Sequence, residues 1–221
     1  MAVKSVVTKG WLLQRIPLAN DDCLLTFLTE DYGKLNVFAS KLQRSKKKAA
    51  ELDYFRWLEL ELSQPKQSFK LKGVKALTDF SPYLADYKRM QFGFDVLKES
   101  AKFCPEGEAN RDMVQLLHET WTLKDLPLVT VEVFFYIKLL WNCGVLPRFD
   151  SVRSALWVHP LTLVFTTESQ VGACGLTNHQ RQMLEWFRRV QAIDLADKHN
   201  QFELEDLKIL QSFLKQVLQN H

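Results

Sequence analysis

Phe55-Arg56-Trp57-Leu58-Glu59-Leu60-Glu61-Leu62 is the stretch that decides the fold. Leu58, Leu60 and Leu62 fall on one side, and Trp57, Glu59 and Glu61 on the other. Successive side chains of a strand point to opposite faces, so this pattern puts one face in a core and the other toward solvent. Ser63-Gln64-Pro65 ends the strand, and Phe69-Lys70-Leu71-Lys72 resumes the alternation with its lysines outward. Upstream, Trp11 to Arg15 and Cys23 to Leu28 are short apolar runs separated by Pro17 and the turn-forming Asn20-Asp21-Asp22. Asp31-Tyr32-Gly33-Lys34 reads as a hairpin turn into Leu35 to Ala39. Five strands in roughly eighty residues fit a small closed barrel, for which the OB-fold is the commonest nucleic-acid-binding version.

The texture changes after Phe80-Ser81-Pro82. Apolar residues at helical spacing run from Tyr83 to Phe103 and again from Arg111 to Leu123, with Pro105-Glu106-Gly107 between them. Val129 to Cys143 is apolar nearly all round, as a buried central helix would be, and Gly144 with Pro147 ends it. Leu161 to Thr166 suggests a hairpin in an otherwise irregular stretch. Thr177-Asn178-His179-Gln180 has the capping-box form ahead of a helix through Gln191, and Glu203 to Leu218 is the last helix. The expected architecture is α+β: a five-stranded OB-fold β-barrel over residues 1–80, then an α-helical domain over 81–221.

Hydrophobic content of 47% and aromatic content of 12% supply a real core, so global disorder is excluded. The net charge is +3, unevenly placed. Residues 1–80 hold 14 Lys/Arg against 9 Asp/Glu, while the remainder holds 15 against 17. The excess gathers in Lys41-Leu42-Gln43-Arg44-Ser45-Lys46-Lys47-Lys48, five cations in eight residues. Such a block is either a solvated loop or a polyanion contact, where each neutralised phosphate releases a counterion. Its setting in a strand-rich module favours nucleic acid.

The strand before it sharpens that expectation. Lys34, Asn36 and Phe38 share one face, which sets an aromatic ring beside cations, as single-strand binding requires. A bulge turning Phe38 into the core would remove it. Lys70, Lys72 and Lys75 either extend the same groove or protect an edge strand from aggregation. The candidate nucleic-acid contacts are therefore Lys34, Phe38, Lys41, Arg44, Lys46, Lys47, Lys48, Lys70 and Lys72. Trp11 and Trp57 read as packing residues.

Catalytic chemistry finds little purchase. The five histidines are scattered, and there is no HExxH, Walker loop or GxSxG turn. Cys23, Cys104, Cys143 and Cys174 form no CxxC pair, which argues against a zinc finger and a disulfide framework. Asp21-Asp22 and Glu30-Asp31 are acidic pairs that fit turn caps better than a metal site. No apolar run reaches membrane-span length. The expectation is a reduced, cytoplasmic, non-enzymatic protein without cofactor, metal or catalytic residue.

Several segments resemble the RecO family of bacterial recombinational-repair proteins. Gly10-Trp11-Leu12-Leu13-Gln14-Arg15, then Asp22 to Leu28, is similar to the family's opening. Thr29 to Lys34 supplies its Thr-x-x-x-Gly turn, and Phe38 to Ser45 its basic stretch. Leu52 to Glu59, Tyr83 to Tyr87, and Phe134 to Leu140 with Gly144 and Pro147 resemble later elements. Ser40 stands where the family often has glycine, and Arg148 to Ala155 lacks the four-cysteine zinc site of many members, so the chain resembles a zinc-free branch. The resemblance implies binding of single- and double-stranded DNA and annealing of complementary strands. It further implies contact with the acidic C-terminal tail of single-stranded-DNA-binding protein, cooperation with RecR, and indirect help to RecA. Arg181, Arg188, Arg189 and Lys138 are available to rim a pocket for that tail. An OB-fold RNA-binding protein, or a protein-interaction adaptor with a basic loop for solubility, remains open on the residues alone.

Overall fold

The computed structural model describes residues 4–64, 68–81, 86–147, 157–166, 171 and 173–221. Strands β1 (Lys4–Pro17), β2 (Cys23–Thr29), β3 (Gly33–Ala39), β4 (Arg56–Gln64) and β5 (Phe69–Asp79) close a barrel in the order β1-β2-β3-β5-β4. Neighbours are antiparallel except β3 and β5, which run parallel with Val37 opposite Phe69 and Phe38 opposite Lys70. The alternation of β4 places Leu58, Leu60 and Leu62 inside at 0% exposure, against Leu12, Leu25, Phe27, Leu35, Val37 and Leu71. The closing β3–β5 ladder is short, Val37–Phe69 and Phe38–Lys70, and Gly107 N–H takes up Lys34 O nearer the start of β3.

The basic run is not a plain loop. Leu42–Arg44 forms a 3-10 turn, and Lys46–Glu51 forms a short helix, α1. Leu42 and Leu52, each 1% exposed, belong to the barrel core and pin both ends of the segment. The β2–β3 turn is equally constrained. Gly33 has φ +63°, and a Cβ there would lie 1.7 Å from the Glu108 carbonyl oxygen, so both backbone and space demand glycine.

Two helices follow, α2 (Tyr87–Phe103) and α3 (Arg111–Thr122). Asp86 caps α2 by accepting from the Lys88 and Arg89 N–H groups, at 2.7 and 3.1 Å. The texture change near residue 80 marks where strands stop. The first compact unit runs on through α2 and α3 to Trp121, and the second spans Thr122–His221.

In the second unit, α4 (Leu128–Asn142) is the apolar helix, with Val131, Val133, Phe134, Phe135, Leu139 and Leu140 all at 0% exposure. It ends in a Schellman motif: Gly144 N–H donates to Trp141 O, and Val145 N–H to Leu140 O. The helix α5 (Asn178–Arg189) begins with the full capping box between Thr177 and Gln180. A short helix, α6 (Ala192–Lys198), precedes α7 (Leu204–Asn220), which packs on α4. Glu132, buried on α4, accepts from Lys215 Nζ at 3.0 Å and from Gln211. The expected hairpin shifts: β6 (Trp157–Val158) pairs with β7 (Phe165–Thr166), so Leu161 to Val164 is the turn and not a strand. A third short strand, β8 (Cys174–Gly175), pairs with β6.

Candidate nucleic-acid interface

The outward face of β3 splits into two halves with different fates. At its start, Lys34 Nζ donates to Ala101 O at 2.9 Å, which caps the carbonyl end of α2. Asn36 Nδ2 donates to Glu106 Oε1 at 3.0 Å, and Gly107 N–H donates to Lys34 O at 3.1 Å. The segment joining α2 to α3 thus lies over this half. Lys34 is engaged by the fold, away from the other candidates.

At the far end, Phe38 stands half-buried on the outer surface, with Leu24 of β2 on one side and Lys70 of β5 on the other. The β2–β3 pairing runs from Cys23–Ala39 to Thr29–Gly33 without a register shift, so no bulge turns the ring inward. Nor is Lys70 on an edge: β5 is bonded to β3 there and to β4 through the Ser63–Lys70 pair. Because β3 and β5 are parallel, β5 continues from Phe38 toward α1, and Ala76 N–H donates to Glu51 Oε2 at 2.8 Å. Lys72 is exposed along that path, at a bulge where Leu62 and Glu61 face Leu71 and Gly73.

The basic turn sits directly after β3. Lys41 adopts a left-handed conformation, φ 49° and ψ 36°, and its N–H donates to Asp22 Oδ1 at 2.7 Å. Arg44 Nε donates to Asp21 Oδ2 at 2.7 Å while its side chain stays 66% exposed. The acidic pair of the β1–β2 connection therefore serves as cap and tether. An ion pair this exposed stabilises little and leaves the guanidinium open to a competing phosphate. Lys48 is half-buried. Lys46 and Lys47 lie in the first turn of α1, but their side chains fall outside the described residues.

Acids bound the cationic strip on the β4 side. Glu61 Oε2 would touch a Cβ at Gly73 at 3.0 Å, beside Lys72. Glu59 lies in register between Lys9 and Lys75. Further along, Trp11 is fully buried against Trp57, Phe80, His118 and Trp121, with ring centroids 5.0 to 6.4 Å away, so it is a packing residue. The engagements of Lys34 and Asn36 had no signal in the sequence, because their partners are about seventy positions away.

In the second unit, the cations suggested for an acidic tail each have an intramolecular partner. Arg181 is 5% exposed and donates to Asn178. Arg188 donates to Glu185 at 2.8 Å and lies 4.2 Å over the Trp141 ring. Arg189 reaches the same carboxylate at 3.4 Å, and Lys138 lies 5.6 Å over Phe134. The four cysteines are free, and burial pushes the Cys143 and Cys174 thiols up. Among the described residues, no group of three His, Cys, Asp or Glu gathers to hold a metal, and no helix is long and apolar enough to cross a membrane. The stretch Arg148 to Ala155 that carries the zinc question lies outside the described residues.

Residues 1–80 match the family model for the N-terminal domain of recombination protein O. The chain is 23% identical to the DNA repair protein RecO of Alkaliphilus metalliredigens, over 98% of this chain and 93% of that protein. It is 26% identical to RecO of Dehalococcoides mccartyi and 25% identical to RecO of Myxococcus xanthus. Those two likenesses cover 64% and 63% of this chain, and 57% and 59% of the respective relatives. The chain is thus an α+β protein whose N-terminal barrel is similar to the N-terminal domain of recombination protein O. Over nearly its whole length the chain is similar, at 23% identity, to a DNA repair protein RecO.

Proposed function

We propose that this chain is a DNA-repair and recombination mediator. It holds single- and double-stranded DNA without reading bases, anneals complementary strands, and helps RecA load onto DNA coated by single-stranded-DNA-binding protein. The observation that carries this reading is the pairing of Phe38 with Lys70 beside the pinned basic turn. A base stacks on the ring, and Lys41, Arg44, Lys46, Lys47, Lys48, Lys70 and Lys72 take the phosphates. Stacking and charge are both indifferent to sequence. Annealing brings two polyanions together, and a cationic strip lowers that repulsion with no catalytic side chain or cofactor.

The likeness to RecO proteins supports the partners: the acidic tail of single-stranded-DNA-binding protein, RecR, and RecA indirectly. The same likeness supports a cytoplasmic protein, and the absence of cysteine from Arg148 to Ala155 supports one without zinc. Metal analysis of the purified chain should find less than stoichiometric zinc. The central test is annealing of complementary strands precoated with the cognate single-stranded-DNA-binding protein, together with a salt titration of binding. Lys46→Glu with Lys47→Glu should weaken binding and flatten the log K against log salt slope by about 1.4, at roughly 0.7 per phosphate on single strands. An unchanged affinity and slope would falsify the assignment of that turn. Competition with RNA of equal length separates this reading from an RNA-binding one, because selectivity has to come from the 2′-hydroxyl or its absence.

A further inference from the structure

At the opposite end of β3 from Phe38 lies a cleft of about 480 Å³ within the first unit. Its volume suits a side-chain-sized or small-molecule ligand. Glu30 and Asp31, from the β2–β3 turn, form one wall. Trp57 and His118 offer aromatic surface, their ring centroids 6.4 Å apart and nearly perpendicular. Gln115 and Arg111 of α3 complete the rim.

The walls are already in place. Asp31 Oδ2 accepts from Thr8 Oγ1 at 2.7 Å, and Glu30 N–H donates to Lys9 O at 2.9 Å. Thr29 Oγ1 donates to Gly33 O and accepts from Tyr32 N–H, which locks the turn. Trp57 is braced by buried Trp11 at 5.0 Å. A ligand therefore meets an Asp31 carboxylate already oriented by Thr8, on a turn whose backbone is fixed at Glu30.

Charge selects the ligand class. Two carboxylates and one guanidinium line the cleft, so a polyanion is disfavoured and a cation favoured. The aromatic surface favours a planar cation, since guanidinium stacks on rings and forks onto carboxylates, whereas ammonium does neither as well. Arg111, also in the lining, complements an acid next to that cation. We propose that this cleft receives an arginine side chain, flanked by an acidic residue, from a partner polypeptide. The site is separate from the DNA strip and stands whether or not the DNA reading does.

The test uses the full chain, isotopically labelled, and the probe peptide acetyl-Gly-Arg-Asp-Gly-amide. Saturable shifts of the Trp57 indole N–H and the Gln115 side-chain amide are expected at roughly millimolar peptide. The analogue with citrulline in place of arginine should bind about tenfold more weakly, because it lacks the charge-assisted pairing. Glu30→Gln with Asp31→Asn should weaken the arginine peptide similarly, while its unchanged spectrum elsewhere reports an intact fold. Equal response to citrulline, absence of shifts at these residues, or displacement of the peptide by single-stranded DNA would each overturn the proposal.

Discussion

The outer faces of β1 and β3 carry the same kinds of residue and end in opposite states. On β1 the outward series is Val7, Lys9, Trp11, and on β3 it is Lys34, Asn36, Phe38. Trp11 is sealed beneath Phe80, His118 and Trp121, whereas Lys9 stays exposed. On β3 the arrangement inverts: Lys34 is tied to α2 and the aromatic is left open beside Lys70. One aromatic thus serves stability and the other stays partly open on the surface beside Lys70. What differs is the cover laid over each strand, and both covers come from residues beyond the barrel.

That contrast is open to attack, beginning where the effect is largest. Trp11→Ala should cost about 3–5 kcal/mol, the usual range for emptying a buried aromatic site. It should appear as a lower urea midpoint at constant slope, with DNA affinity of the folded protein unchanged. Gly33→Ala comes next, with roughly 1–2 kcal/mol from the left-handed backbone alone and more from the collision with Glu108 O. Gly33→Asn separates the two contributions, since asparagine tolerates the backbone but not the collision. Recovery of wild-type stability in that variant would show that space is not the constraint.

Phe38→Ala should do the reverse of Trp11→Ala. Single-strand affinity should fall by about 1–3 kcal/mol, the range for losing one stacked base, while the urea midpoint barely moves. A large loss of stability with intact binding would cancel the contrast between the two strands. Glu61→Gln should sharpen it by removing a carboxylate beside Lys72. Binding should tighten by less than about 1 kcal/mol at low salt and by nothing measurable at high salt.

The smallest effect concerns Asp79, at the end of β5. Hydrogen bonds from Ser81 hold its carboxyl below the usual range against the opposing pull of burial, and the Arg56 guanidinium, 3.3 Å away, adds to the lowering. A lowered folded-state pKa contributes stability that is present above the unfolded value and is lost as pH falls through the folded one. Asp79→Asn should therefore be slightly less stable than the parent at neutral pH, and the two should converge in acid below the folded value. The side chain is 45% exposed, so water screens most of the interaction. Identical acid-unfolding curves would show that the pairing contributes nothing.

Much of the barrel was legible because strand period is a local property. Leu58, Leu60 and Leu62 announced an inward face, and the outward place of Phe38, Lys70 and Lys72 followed from the same rule. The capping box at Thr177 and the glycine exit of α4 were equally local. The short helix at Ala192–Lys198 was missed because seven residues with two buried positions leave no readable stripe. The helix inside the basic run was hidden for a different reason. Lysines crowd its positive end, so the electrostatic signal pointed away from a helix, while Leu42 and Leu52 held the segment in place from the core.

From its residues alone, this chain specified a barrel with an aromatic and cations on one outer edge, since alternation needs no partner to be read. Tertiary structure decided which of those groups remain available. Lys34 was withdrawn by a carbonyl far along the chain, Arg44 was tethered by Asp21, and a cleft formed where the β2–β3 turn meets α3. Exposure is set by what packs from a distance, and no short window of sequence contains that distance.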